Sequence, residues 1–196
     1  MIVPLDITYG RGKRHAAVFT PSQWIAIKEQ LNPTYKLRFE YLLQTAMRIS
    51  EAVYVSKHPE CFRVENGAIF LPQVEGMGKV ECKLKCRQVM LTPAGVESVK
   101  KIYSESVTFP AYQNMEEVFK RAAKDADIDT RYVTTKCFRK TMVSWLMACY
   151  PERQEQIAHS AGHDYATMRA HYLTYGWRKD DISDMRSYVK DWGEAV

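Results

Sequence analysis

Between Phe62 and Leu91 the apolar residues stop recurring every three or four positions and fall into short consecutive runs, and this interruption of a helical chain does most to limit its fold. Phe62 and Val64, then Ala68-Ile69-Phe70-Leu71, then Leu84 and Gln88-Val89-Met90-Leu91 read as strands. Asn66-Gly67 and Gly76-Met77-Gly78 supply turn residues between them, which predicts a small three-stranded antiparallel sheet. Ahead of it, Thr20-Pro21-Ser22-Gln23 places a cap and a first-turn proline before Trp24, Ile25, Ile27 and Leu31. From Tyr35 to Val55 the set Leu37, Tyr41, Leu42, Ala46, Ile49, Ala52 and Val53 predicts one well-buried second helix, broken near Ser56-Lys57-His58-Pro59. After Pro93, segments 94–105, 112–126, 135–149, 152–160 and 164–174 each carry an apolar stripe, with Pro151 and Gly162 as punctuation. Helices, a small sheet, then more helices make an α+β, mainly α-helical fold rather than a parallel α/β one.

With 196 residues, 46% of them hydrophobic, the chain has the bulk for one core, and no repeat or linker-like composition divides it, so 1–196 is expected to be a single domain. Residues 1–18 are expected to be a poorly defined segment. In the tail, 178–196, Ile182, Met185, Val189 and Trp192 form one helical stripe that either packs on its own domain or docks on a neighbour. No apolar run approaches the roughly 20 residues of a membrane helix, and the first residues lack the basic and apolar regions of a signal peptide. Five cysteines are an odd number in a chain too large to need staples, which favours reduced thiols. A soluble, cytoplasmic protein with no membrane partner is therefore expected. An excess of 28 Lys and Arg over 23 Asp and Glu permits a polyanionic partner but does not demonstrate one.

Several chemistries are removed by spacing. Gly78-Lys79 resembles the end of a phosphate-binding loop, but the earlier glycine falls on Gln73 and the following Ser/Thr on Val80. Cys82 and Cys86 have no second Cys or His pair at a finger-like spacing, and His159, His163 and His171 lack the acidic companions of a catalytic zinc site. There is no Gly-x-Ser-x-Gly elbow. No cofactor and no metal are expected.

What remains is a set of basic residues and a tyrosine in four ordered blocks. They are Thr45-Ala46-Met47-Arg48-Ile49-Ser50-Glu51, the segment from Lys79 to Arg87, Thr135-Lys136-Cys137-Phe138-Arg139-Lys140-Thr141, and Ala161-Gly162-His163 continuing to His171-Tyr172. In this order they resemble the catalytic domain of the tyrosine recombinases, the phage-integrase family, over roughly Thr20 to Trp177. The family pattern is Thr-Gly-Leu-Arg-x-x-Glu, a hairpin lysine, His-x-x-Arg, Leu-Gly-His, and a tyrosine nine residues after that histidine, which is the separation of His163 and Tyr172. The chain departs from it at Ala46-Met47, at Ala161, and at Lys136 in the histidine position, a lysine that is similar to the archaeal and archaeal-virus integrases. The family's N-terminal core-binding domain is expected to be absent.

The resemblance implies a site-specific recombinase or integrase that cleaves and rejoins DNA strands through a 3′-phosphotyrosyl intermediate, with neither metal nor ATP. A phenol oxygen makes a stable but reversible phosphodiester, so Tyr172 is the implied nucleophile, with Tyr165 and Tyr175 as rivals that the spacing disfavours. Arg48 and Arg139 are implied to hold the non-bridging oxygens, each guanidinium donating two charge-assisted hydrogen bonds. Lys83, or else Lys79, is implied to protonate the leaving 5′ oxygen. His163 would donate to a phosphate oxygen or help deprotonate the phenol, and Lys136 would stabilise charge. Between Lys79 and Lys101 six basic residues face two acidic ones, and from this stretch Lys85 and Arg87, with Lys140 elsewhere, are expected to contact the DNA backbone. The implied partners are double-stranded DNA and further copies of the chain in a tetramer on it.

Blander readings stand beside these. Arg48 could be a buried partner of Glu51, which is itself assigned to structure; the lysines could be solvated edge charges. Two other activities are weighed as well: supercoil relaxation of the type IB topoisomerase kind, and a DNA-binding relic without catalysis.

Overall fold

A computed structural model describes residues 16–72, 86–163 and 177–194. Helix α1 (Pro21–Glu29) starts where its cap predicts: Thr20 Oγ1 accepts from the Gln23 amide, and Gln23 Oε1 accepts from the Thr20 amide at 2.9 Å. Asn32 caps α2 (Pro33–Thr45) through the Tyr35 amide. The single helix expected over 35–55 is in fact two. Ala46 adopts the left-handed conformation, φ 47°, which ends α2, and α3 (Ile49–Val55) restarts after an extended Arg48. The stripe carries across the break because both helices face one core: Leu42 and Leu43 on the first side, Ala52 and Val55 on the second, are buried together.

The sheet comprises β1 (Phe62–Arg63), β2 (Ala68–Leu71) and β3 (Arg87–Met90), antiparallel in the order β1-β2-β3. Phe62 pairs with Ile69, Ala68 with Met90, and Leu71 with Arg87. Gly67, φ 55°, makes the turn into β2. Thr92 then caps α4 (Pro93–Ser104) by accepting from the Gly95 amide, and its hydroxyl donates to Gln44 Oε1 on α2, at 2.8 Å. Helices α5 (Tyr112–Asp125) and α6 (Lys136–Cys149) follow close to their expected bounds. A 3-10 turn at Pro151–Arg153 leads into α7 (Gln154–Ala161), and α8 (Lys179–Val189) comes last. The helix expected at 164–174 lies outside the described residues.

At the centre Phe39, Phe119 and Phe138 pack with ring centroids 4.3–5.3 Å apart, bringing α2, α5 and α6 together. One expectation is corrected here, and for the tail one of its two readings is what the fold adopts. Ala16–Val18, part of the segment expected to be poorly defined, are buried, with Ala17 donating to the Tyr132 carbonyl. Just after them, Phe19 accepts from Trp145 Nε1 at 2.9 Å and donates to Thr141. In the tail, Met185, Val189 and Trp192 are buried in this chain: α8 packs on α6, Trp192 Nε1 donates to the Met90 carbonyl, and Tyr150 donates to the Val189 carbonyl. That stripe is spent within the domain rather than kept for a neighbour.

Candidate functional site

The break at Ala46 builds the site. An extended Arg48 leaves its amide outside the helical ladder, and Glu51, one turn on, accepts it at 2.8 Å. The same carboxylate accepts from Arg48 Nη1 at 2.7 Å and lies 3.7 Å from Arg139 Nη1. From β3, Arg87 completes the set as a fork, with Nη1 and Nη2 donating to the two Glu51 oxygens at 2.9 and 2.8 Å. Burial by itself pushes the Glu51 carboxyl up; the Arg87 hydrogen bonds and charge, the Arg48 amide and the Arg139 charge outweigh it and hold the group at about 2. Three guanidiniums around one carboxylate leave this group of four side chains with two more positive charges than negative.

Arg139 projects from α6, one turn after the exposed Lys136, and is itself buried. Its Nη1 donates to the Ala46 carbonyl at 3.2 Å, its Nη2 donates to the Ala161 carbonyl, and Nη2 also lies 3.1 Å from His163 Nε2. A guanidinium only donates, so His163 Nε2 is on the accepting side of that contact. His163 follows Gly162, whose φ of 64° ends α7 in the left-handed region where glycine is at ease. Arg48 and Arg139, far apart in sequence, are thus joined through Glu51, and His163 is joined to them through Arg139. Arg48 is half-exposed there, so the cluster opens to solvent on its side. Guanidiniums and an imidazole converging at a solvent-open edge can hold a phosphodiester anion.

One expected DNA contact lies elsewhere, and a second is engaged within the domain. Arg87 is buried, spends its fork on Glu51 and its Nε on the Ser160 carbonyl at 3.0 Å, and so cannot reach a phosphate. Strand parity was the signal that places it: Arg87, Val89 and Leu91 alternate onto one face, and all three are buried. Lys140 Nζ donates to the Ala16 carbonyl at 2.8 Å, fastening the N-terminal segment to α6. Lys79, Lys83, Lys85 and Tyr172 lie outside the described residues. Among the described residues no group of three or more His, Cys, Asp or Glu is placed to hold a metal ion, and no helix is long and apolar enough to cross a membrane.

No protein-family model and no curated protein matches the sequence. Solved structures do match. Over 93% of this chain and 66% of the other, the fold is similar to that of XerA recombinase, with a TM-score of 0.59 at 12% identity. XerH site-specific recombinase bound to its palindromic difH substrate after cleavage gives a TM-score of 0.60 at 16% identity, over 87% of this chain and 53% of that one. The fold is that of the tyrosine-recombinase catalytic domain. The pre-cleavage XerH complex with difH agrees, at a TM-score of 0.55 and 18% identity over 81% of this chain and 51% of that one. The chain spans less than two thirds of the length of these recombinases. The mainly helical fold with a small three-stranded antiparallel sheet is what the strand runs and helical stripes predict, and the recombinase catalytic-domain fold is what the resemblance of the four blocks implies.

Proposed function

We propose that this chain is the catalytic domain of a site-specific DNA recombinase that works through a phosphotyrosine. The reading is supported by one observation: Arg139 lies 3.1 Å from His163, and Glu51 links Arg48 to Arg139, so three residues named from separate sequence blocks belong to one chain of contacts. In the proposed step the Tyr172 phenol oxygen, giving its proton to water, bonds to the scissile phosphorus. The bond from phosphorus to the 5′ oxygen breaks, and that oxygen leaves with the electron pair and takes a proton from Lys83 or Lys79. Arg48 and Arg139 hold the non-bridging oxygens as charge gathers on them, assisted by His163 and by Lys136 at the start of α6. The bond energy is kept in the phosphotyrosyl link, so a second strand reseals it without ATP. Duplex DNA and a tetramer of this chain on it are the proposed partners. Lys136, in place of the family's histidine, supports kinship with the archaeal and archaeal-virus integrases.

The test is incubation of wild type and Tyr172→Phe with nicked, labelled duplexes carrying candidate attachment sites, in a chelator and without ATP, followed by denaturing electrophoresis. A protein–DNA adduct formed by wild type and lost in Tyr172→Phe is expected. An adduct that persists in Tyr172→Phe, or none from wild type on any duplex it binds, overturns the reading.

A further inference from the structure

Arg87 has no part in the scheme above, yet it is a buried cation whose contacts reach both Glu51 and the turn that carries His163. With Glu51 it forms a fork-to-carboxylate pair whose side chains are only 2% and 1% exposed. Through Nε it holds the carbonyl of Ser160, and the Ser160 hydroxyl accepts from the Met90 amide at 3.0 Å, so β3 and the end of α7 are bonded at two points. A Cβ on Gly162 would stand 3.1 Å from Arg87 Cδ and Nε, so the turn that delivers His163 rests directly on this side chain. We propose that Arg87 is a positioning residue for strand transfer: it fixes the carboxylate that orients Arg48 and Arg139, and it seats the turn that carries His163.

The inference rests on the proposed function. A lysine at 87 keeps the charge but supplies neither the planar fork nor the Nε donor, so the carboxylate and the turn are released from each other. Misplacing reacting groups by about 1 Å costs on the order of 100-fold in rate, and Arg87→Lys is expected to slow adduct formation by about that factor. Duplex affinity and its salt dependence stay unchanged, because Arg87 touches no phosphate.

The comparison is run on two nicked duplexes, one natural and one with a methylphosphonate at the scissile position. That group lacks the negative charge the guanidiniums neutralise. If Arg87 acts through Arg48 and Arg139, the deficit of Arg87→Lys relative to wild type shrinks on the methylphosphonate. Should Arg87→Lys fail to melt cooperatively, Arg87→Gln, a shorter planar donor, carries the same comparison. Equal deficits on both duplexes, no deficit, or a weaker salt dependence of binding overturns the positioning role while adduct formation by wild type leaves the proposed function standing. A wild type that forms no adduct overturns both.

Discussion

Glu51→Gln isolates the electrostatics of the site with almost no change of shape. The amide fills the space of the carboxylate but leaves Arg48, Arg87 and Arg139 facing a neutral group, and Arg87 has no route to water. A carboxyl lowered from its ordinary 4.5 to about 2 stabilises the folded state, at about 1.4 kcal/mol for each tenfold change in proton affinity, by about 3 kcal/mol at neutral pH. Loss of one partner of a buried ion pair gives a similar figure, about 3–5 kcal/mol. The pH dependence carries a definite sign. Because the folded value is depressed, the stabilisation is complete above the unfolded value and disappears as pH falls from about 5 towards 2. Wild type and Glu51→Gln should therefore differ by about 3 kcal/mol at pH 7 and converge near pH 2. Urea titrations followed by the fluorescence of the buried Trp24, Trp145 and Trp192, run at several pH values, measure the gap. A gap that is absent at pH 7, or that stays constant down to pH 2, refutes the assignment of Glu51 as the ionised hub.

Ala46→Gly relieves a left-handed alanine at about 1–2 kcal/mol and concedes about 0.5–1 kcal/mol of unfolded-state entropy, so a gain of about 0.5–1 kcal/mol and a rise of a few degrees in Tm are expected by calorimetry. Trp192→Ala removes a fully buried ring and its bond to Met90, and should cost about 3–5 kcal/mol in denaturant titrations; near-neutral behaviour would mean that the α8 stripe is not part of this core. On duplex DNA, Lys136→Ala should lower the slope of log affinity against log salt by about one, whereas Lys140→Ala, whose ammonium is bonded to Ala16, should leave the slope alone.

The start of α1 was legible because it is local: Thr20-Pro21 pairs a cap with a first-turn proline; Asn32-Pro33 and Thr92-Pro93 do the same at α2 and α4, a signal left unused. The break after Thr45 was not legible. Alanine is the best helix former, and nothing local asks Ala46 to leave the helix. The conformation is upheld from a distance, by Arg139 on its carbonyl and by Glu51 on the next amide but one. In the site, Arg48, Arg139 and His163 could be named because the order of blocks and their spacing carry them, and Glu51 was assigned to structure from its three-residue offset to Arg48. Arg87 was misread because it was counted into a basic cluster, while the alternation with Val89 and Leu91 that turns it inward was left unused.

The burial of Met185, Val189 and Trp192, and the bond from Trp192 to the end of β3, bear on how the chain is made. A polypeptide emerging in sequence order exposes the apolar side of α6 and the end of β3 well before the segment that covers them has been synthesised. The part of the core that this segment covers cannot close until it has been made. Until residue 192 is free of the ribosome, the nascent domain carries a bare apolar face of the kind that chaperones hold.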